Sequence, residues 1–199
     1  MSLDWSCVHQ RLKDRIEASG VRVRSQLLGP ETTGVFDGLT ITTNSACDLE
    51  TQCHNMGHAF GHLAQWSLEG TRCRELHEAL YSAKDHKLLD PPALERVLQE
   101  FRWYEEEASA YAAWLLIDTG NETAVTSFTP FGRADIEAIV SYHRDGIAPI
   151  WSEFFEDWQA RARRGEIVAR EFVPKQIPPF QPRSIEPQEV IQGVRDPVG

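Results

Sequence analysis

Cys53-His54-Asn55-Met56-Gly57-His58-Ala59-Phe60-Gly61-His62 is the stretch on which the reading of this chain turns. Three histidines fall at intervals of four. Residues four apart on an α-helix stand one above the other, about one 5.4 Å turn apart. The spacing predicts a helix, running from about Cys47 to Leu68, that presents three imidazoles on one face. Upstream, Leu3 to Ala18 has Trp5, Val8, Leu12 and Ile16 at helical intervals, stopped by Gly20. Val21 to Leu28 suits a strand. Thr33 to Asp37 and Leu39 to Thr43 are two short β-rich runs split by the hairpin signal Asp37-Gly38. Downstream, Thr71 to Ala83 reads as a more polar helix. A long helix follows to about Ile117, with Asp90 as N-cap and Pro91 in its first turn, ended by Gly120-Asn121. Thr123 to Gly132 reads as a loop, and Ala134 to Arg164 as mostly helix, interrupted near Gly146 or Pro149. The expected class is α+β: a small antiparallel sheet of about three strands packed against a mostly α bundle.

With 199 residues, 41 % of them hydrophobic, the chain can bury one core. Six of its 11 prolines lie between Pro174 and Pro197, a density that forbids helix. The expected organisation is one domain over residues 1–173 and an extended tail over 174–199, free to wrap the domain, meet a partner or remain mobile. The formal net charge of −10 argues against nucleic acid and against anionic membrane surfaces as partners. No apolar run approaches the roughly 20 residues that span a bilayer. Cys7, Cys47, Cys53 and Cys73 form no CxxC pair, so a reduced, cytoplasmic protein is expected. Trp151, Phe154, Phe155 and Trp158 recur at helical spacing as core or as a subunit contact, which leaves room for a homodimer.

Two imidazoles one turn apart can share a metal ion. The outer pair, 54 and 62, is about 12 Å apart along the axis at 1.5 Å per residue, so all three do not share one ion. The pair is either His54/His58 or His58/His62, with the third histidine supporting it. Catalytic zinc sites built on two histidines usually take a carboxylate as third ligand. The Glu105-Glu106-Glu107 run supplies one. Leu94, Leu98, Phe101, Ala108, Ala112 and Leu115 define an apolar stripe. Glu105 falls inside it, Glu106 points away and Glu107 lies nearly opposite. A carboxylate on a buried face costs several kcal/mol unless paired with a cation, which makes Glu105 the natural ligand. In the HExxH pattern the residue after the first histidine is the Glu that activates metal-bound water. After His54 that residue is Asn55, whose carboxamide cannot take a proton at neutral pH.

The segment from Gly38 through His62 resembles the ImmA/IrrE metallopeptidases, in which an edge strand leads into a helix of the form A-H-E-L-G-H-x-x-x-H. Glu105-Glu106-Glu107-Ala108-Ser109-Ala110-Tyr111-Ala112-Ala113-Trp114-Leu115-Leu116 is similar to that family's third-ligand helix. The resemblance spans about residues 33 to 117 and implies a zincin-like fold. It implies one zinc per chain, bound by His54, His58 and Glu105, with His62 and Ser109 supporting the ligands. Asn55 and Ser109 depart from the family's Glu and Asn, and the Pro expected after Leu115-Leu116 is absent. Two imidazoles and a carboxylate also suit iron, manganese or nickel.

The resulting expectation is a metal-binding, catalytically impaired protein that holds a peptide or protein segment in a residual groove. A second is an active hydrolase with a relocated base, for which Glu50, Glu106, Glu107, His62 and His143 are candidates, with Tyr142 or His143 steadying an oxyanion. A third is a metal-free structural or interaction domain in which His54 and His58 bond to carbonyls.

Overall fold

A computed structural model of the chain describes residues 3–29, 32–86, 91–145, 151–166 and 169–185. Helix α1, Trp5–Glu17, starts at Asp4, whose carboxylate accepts from the Ser6 and Cys7 amides, and buries Val8, Leu12 and Ile16. Gly20, at φ +90°, turns the chain into strand β1, Arg22–Gln26. Strands β2, Gly34–Phe36, and β3, Thr40–Asn44, form the expected hairpin. Its turn is fixed by the Asp37 carboxylate, which accepts from the Leu39 and Thr40 amides at 2.9 and 2.7 Å.

The sheet is mixed, not antiparallel throughout. Its order is β1-β3-β2, with β3 antiparallel to β2 and parallel to β1, Val23 standing opposite Ile41. The Asp37-Gly38 signal specifies one hairpin and says nothing about where β1 docks. The longer β1–β2 connection lets β1 cross to the far side of β3. Asn44 anchors that connection, accepting from the Leu28 amide and donating to the Gly29 and Thr32 carbonyls.

Helix α2, Leu49–His86, unites the two expected helices across a kink at Glu69 (φ −132°, ψ 37°). Arg183 caps the break by donating to the Trp66 carbonyl at 3.0 Å. Helix α3, Pro91–Asp118, begins at the expected proline; Asp90 lies outside the described residues. Helix α4, Glu122–Asp145, includes the stretch expected to be a loop. Pro130 forfeits one ladder bond there. Burial of Ala124, Phe128 and Phe131 outweighs that loss. Helix α5, Trp151–Arg163, follows, and the expected interruption near Gly146 or Pro149 lies outside the described residues. Phe154 and Trp158 of α5 pack against the core.

The described part of the Pro-rich tail wraps the domain. Phe172 packs on Phe128, the Lys175 amide donates to the Ala110 carbonyl, Phe180 meets Phe60, and the Ile185 amide donates to the Asp37 carbonyl. Residues 174–185 are thus continuous with the core, with Ile177 and Ile185 buried. Residues 186–199 lie outside the described residues.

Among the described residues the α2–α3 interface is the most extensive, and it brings the histidine and glutamate motifs together. Gly61 permits the contact, because a Cβ there would overlap the Ala108 carbonyl. At Gly57 a Cβ would meet Ala112 Cβ at 3.4 Å, an ordinary contact. Gly61→Ala is therefore expected to cost about 1–3 kcal/mol through overpacking. Gly57→Ala is expected to be neutral or to stabilise by up to about 1 kcal/mol through helix propensity. Urea unfolding of both variants checks the contrast, and equal effects would refute this reading of the interface.

Candidate metal centre

The structure gathers His58, His62 and Glu105. His58 Nε2 and His62 Nε2 are 2.9 Å apart, and each lies 3.1 Å from Glu105 Oε2. All three residues are buried. This group could hold a metal ion. Of the two pairings that the spacing leaves open, the fold selects His58/His62, and His62 stands among the potential ligands, not behind them.

The outer nitrogens fix what the inner ones can do. His62 Nδ1 lies 3.0 Å from Gln65 Oε1. The Gln65 amide is oriented by its NH₂ group, which donates to the Tyr104 carbonyl and to Glu107 Oε2, both at 2.9 Å. Gln65 Oε1 can therefore only accept, and His62 Nδ1 carries the proton. A neutral ring so protonated turns its Nε2 lone pair onto a carboxylate oxygen and a second imidazole. Such a meeting of lone pairs is stable only with a proton or a metal cation between them. On His58, Nδ1 meets the Ser109 hydroxyl at 3.2 Å, the supporting contact expected of Ser109. The His62 ring is held between Phe36 of β2, centroids 6.0 Å apart, and Tyr104 of α3, 4.5 Å. Trp66 Nε1 donates to the Tyr104 hydroxyl and steadies that stack. Burial would raise the Glu105 carboxyl, but the His62 and His58 imidazoles outweigh it and hold the group well below the usual carboxylate range.

His54 stands apart. Its ring packs against Trp5, Phe128 and Phe131, with centroids 5.3, 5.6 and 4.8 Å away, and neither ring nitrogen has a hydrogen-bond partner. It lies one turn before His58, where α2 faces α1 and the aromatic side of α4, so Glu105 pairs with the later histidines. Burial pushes the His54 imidazole down to about 3. Asn55 is likewise one turn before the gathered pair, and its amide nitrogen is buried without a partner. In the stretch His58-Ala59-Phe60-Gly61-His62 the residue after the first histidine is Ala59, which has no proton-accepting group.

The other nominated groups are engaged elsewhere. Glu50 accepts from Ser127 and Arg163, Glu106 from Arg133, and Glu107 from Lys175 and Gln65. His143 packs on Phe101, and Tyr142 on His143. Both lie at least 10 Å along α4 from the residue that does reach the cluster, at about 1.5 Å per residue. That residue is Asp135, whose Oδ2 is 3.7 Å from His58 Nε2. Burial lifts its carboxyl to about 7, with neighbouring His58 lowering it and the Glu105 carboxylate raising it. The sequence held the signal that had marked Glu105: Phe128, Phe131, Asp135 and Ala138 share one buried stripe of α4. Reading Thr123–Gly132 as a loop hid it.

No family model, curated protein or solved structure matches this chain. Among the described residues, no helix is long and apolar enough to cross a membrane.

Because His54 favours its neutral form when folded, it contributes stability fully above its ordinary value of 6.5, and that contribution is lost as pH falls toward about 3. His54→Leu is expected to flatten the acid limb of the stability profile over that window while leaving metal binding intact. Denaturant midpoints recorded across the window check the first point. Loss of metal binding in this variant would place His54 back among the ligands.

Proposed function

We propose that this protein is a zinc-binding, metallopeptidase-like protein that resembles ImmA/IrrE enzymes in plan, has lost their hydrolytic step and binds a protein segment. The observation that carries the reading is the convergence of two imidazole nitrogens and a carboxylate, with the outer nitrogens of both imidazoles already engaged. Two nitrogens and one oxygen donor suit zinc. Loss of hydrolysis is inferred from Ala59, because the side chain after the first gathered histidine can neither deprotonate nor orient a water. Removing a proton-transfer group commonly costs about 10²–10⁴-fold in rate. Binding of an extended segment is inferred from β2. It is an edge strand of the sheet, with Val35 exposed and Phe36 on the His62 ring, so a segment added to it would pass beside the centre.

Elemental analysis of the purified protein is expected to find about one zinc per chain, as in single-ion sites of this donor set. His58→Ala, His62→Ala and Glu105→Gln should each deplete it. A zinc-free protein, even after reconstitution, would end this reading. In a peptide-library cleavage assay the protein is expected to show no chelator-sensitive turnover. Asn55→Glu is expected to add none, because position 55 lies one turn before the gathered pair. Turnover gained by Asn55→Glu would restore the His54/His58 pairing.

A further inference from the structure

The centre has a fourth side chain that the third-ligand motif does not account for. Resting on the zinc-binding reading above, we propose that Asp135 is a fourth protein ligand, contributed by α4, that closes the metal centre and leaves no coordination position for water or substrate.

Spacing and charge carry the argument. Tetrahedral ligation at about 2.0–2.1 Å places neighbouring donor atoms about 3.3 Å apart. Around His58 Nε2 the neighbours stand at 2.9 Å (His62 Nε2), 3.1 Å (Glu105 Oε2) and 3.7 Å (Asp135 Oδ2). His58, His62 and Glu105 lie mutually within 4.8 Å, and Asp135, outside that set but against His58, completes the shell by turning its side chain toward the ion. Two neutral imidazoles and two carboxylates carry a charge of −2, which one divalent ion cancels. Without it, a proton on a histidine or on a carboxyl must offset the two nearly buried acids, and burying unpaired charge costs several kcal/mol. The nearest arginine on the same helix gives Asp135 no relief. Arg133 turns outward to Glu106 and to the Arg170 and Glu171 carbonyls of the wrapping tail. The Asp135 side chain is only 13 % exposed, so it is not a solvated surface group.

A closed centre also fits Ala59. Where protein side chains occupy every position, no bound water needs a base beside it. The ion then ties α2, α3 and α4 together as a structural bolt, and the protein would act through its surfaces.

Cobalt(II) substituted for zinc reports the coordination directly, through visible d–d bands that change when azide enters an open position. The cobalt protein is expected to show the intense bands of a four-coordinate ion and no response to azide. Asp135→Ala is expected to bind cobalt more weakly and to gain an azide-dependent spectral change. Asp135→Asn, closer in shape, serves if the alanine variant does not fold by circular dichroism. An azide response in the unaltered protein would overturn the proposal, since Asp135 would then stand beside a metal-bound water as a base and the hydrolase reading would return. An azide response absent from both folded Asp135 variants would overturn it equally. Failure of the unaltered protein to bind cobalt or zinc would instead remove the zinc-binding reading itself, so the two failures are distinct.

Discussion

Two imidazole nitrogens and a carboxylate oxygen meet within about 3 Å in a buried space, where helices α2 and α3 cross. Because Gln65 holds a His62 proton on the outer nitrogen, a neutral His62 ring presents its inner lone pair to Glu105 and His58. Lone pairs brought together out of water repel, and a proton or a metal cation between them converts the repulsion into a crosslink. The crosslink would join α2 to α3, the most extensive interface among the described residues, at the level where Gly61 lets the helices approach. The aromatic stack of Phe36, His62 and Tyr104 ties the sheet to the same point.

Around this centre the chain invests unusual chemistry in burial. His54 is sealed among Trp5, Phe128 and Phe131 with both nitrogens unpartnered, a cost met by the aromatic packing around it. The kink at Glu69 frees the Trp66 carbonyl, and the tail returns more than a hundred residues later to satisfy it through Arg183. The same tail satisfies the Asp37 carbonyl and contributes Ile177 and Ile185 to the core. A segment whose prolines forbid helix thus acts as a strap over the domain. Its backbone groups pair one at a time with the elements it crosses, where a helix or strand would have paired them with its own neighbours.

Much of the candidate site was legible because helical periodicity projects onto contacts. The four-residue histidine spacing, and Glu105 inside an apolar stripe, followed from 100° per residue alone. Ser109 came from the resemblance of its helix to a third-ligand helix, not from periodicity. Periodicity could not choose which two of three equivalent histidines face α3, since 54/58 and 58/62 are identical on the helix. The choice depends on the height at which α3 crosses α2, set by Gly61 against Ala108 and by the aromatic residues of α1 and α4 that enclose His54. Asp135 shows a different limit. Its stripe obeys the same rule, but Thr123–Gly132 reads as a loop in the sequence, and burial of Phe128 and Phe131 carries the helix through Pro130.

By itself the sequence determined the α+β class, the hairpin at Asp37-Gly38, the principal helices and the residue types available to a metal, because these follow from local backbone preference and from the period of apolar residues. Only the tertiary structure decided that β1 lies parallel to β3, that His62 replaces His54 in the cluster, that Asp135 comes to 3.7 Å from His58 and that the tail binds the domain. Each of those depends on which surfaces meet across long separations in the chain. Pairing of that kind is settled by packing and by the satisfaction of buried polar groups, and neither is written in any single stretch of residues.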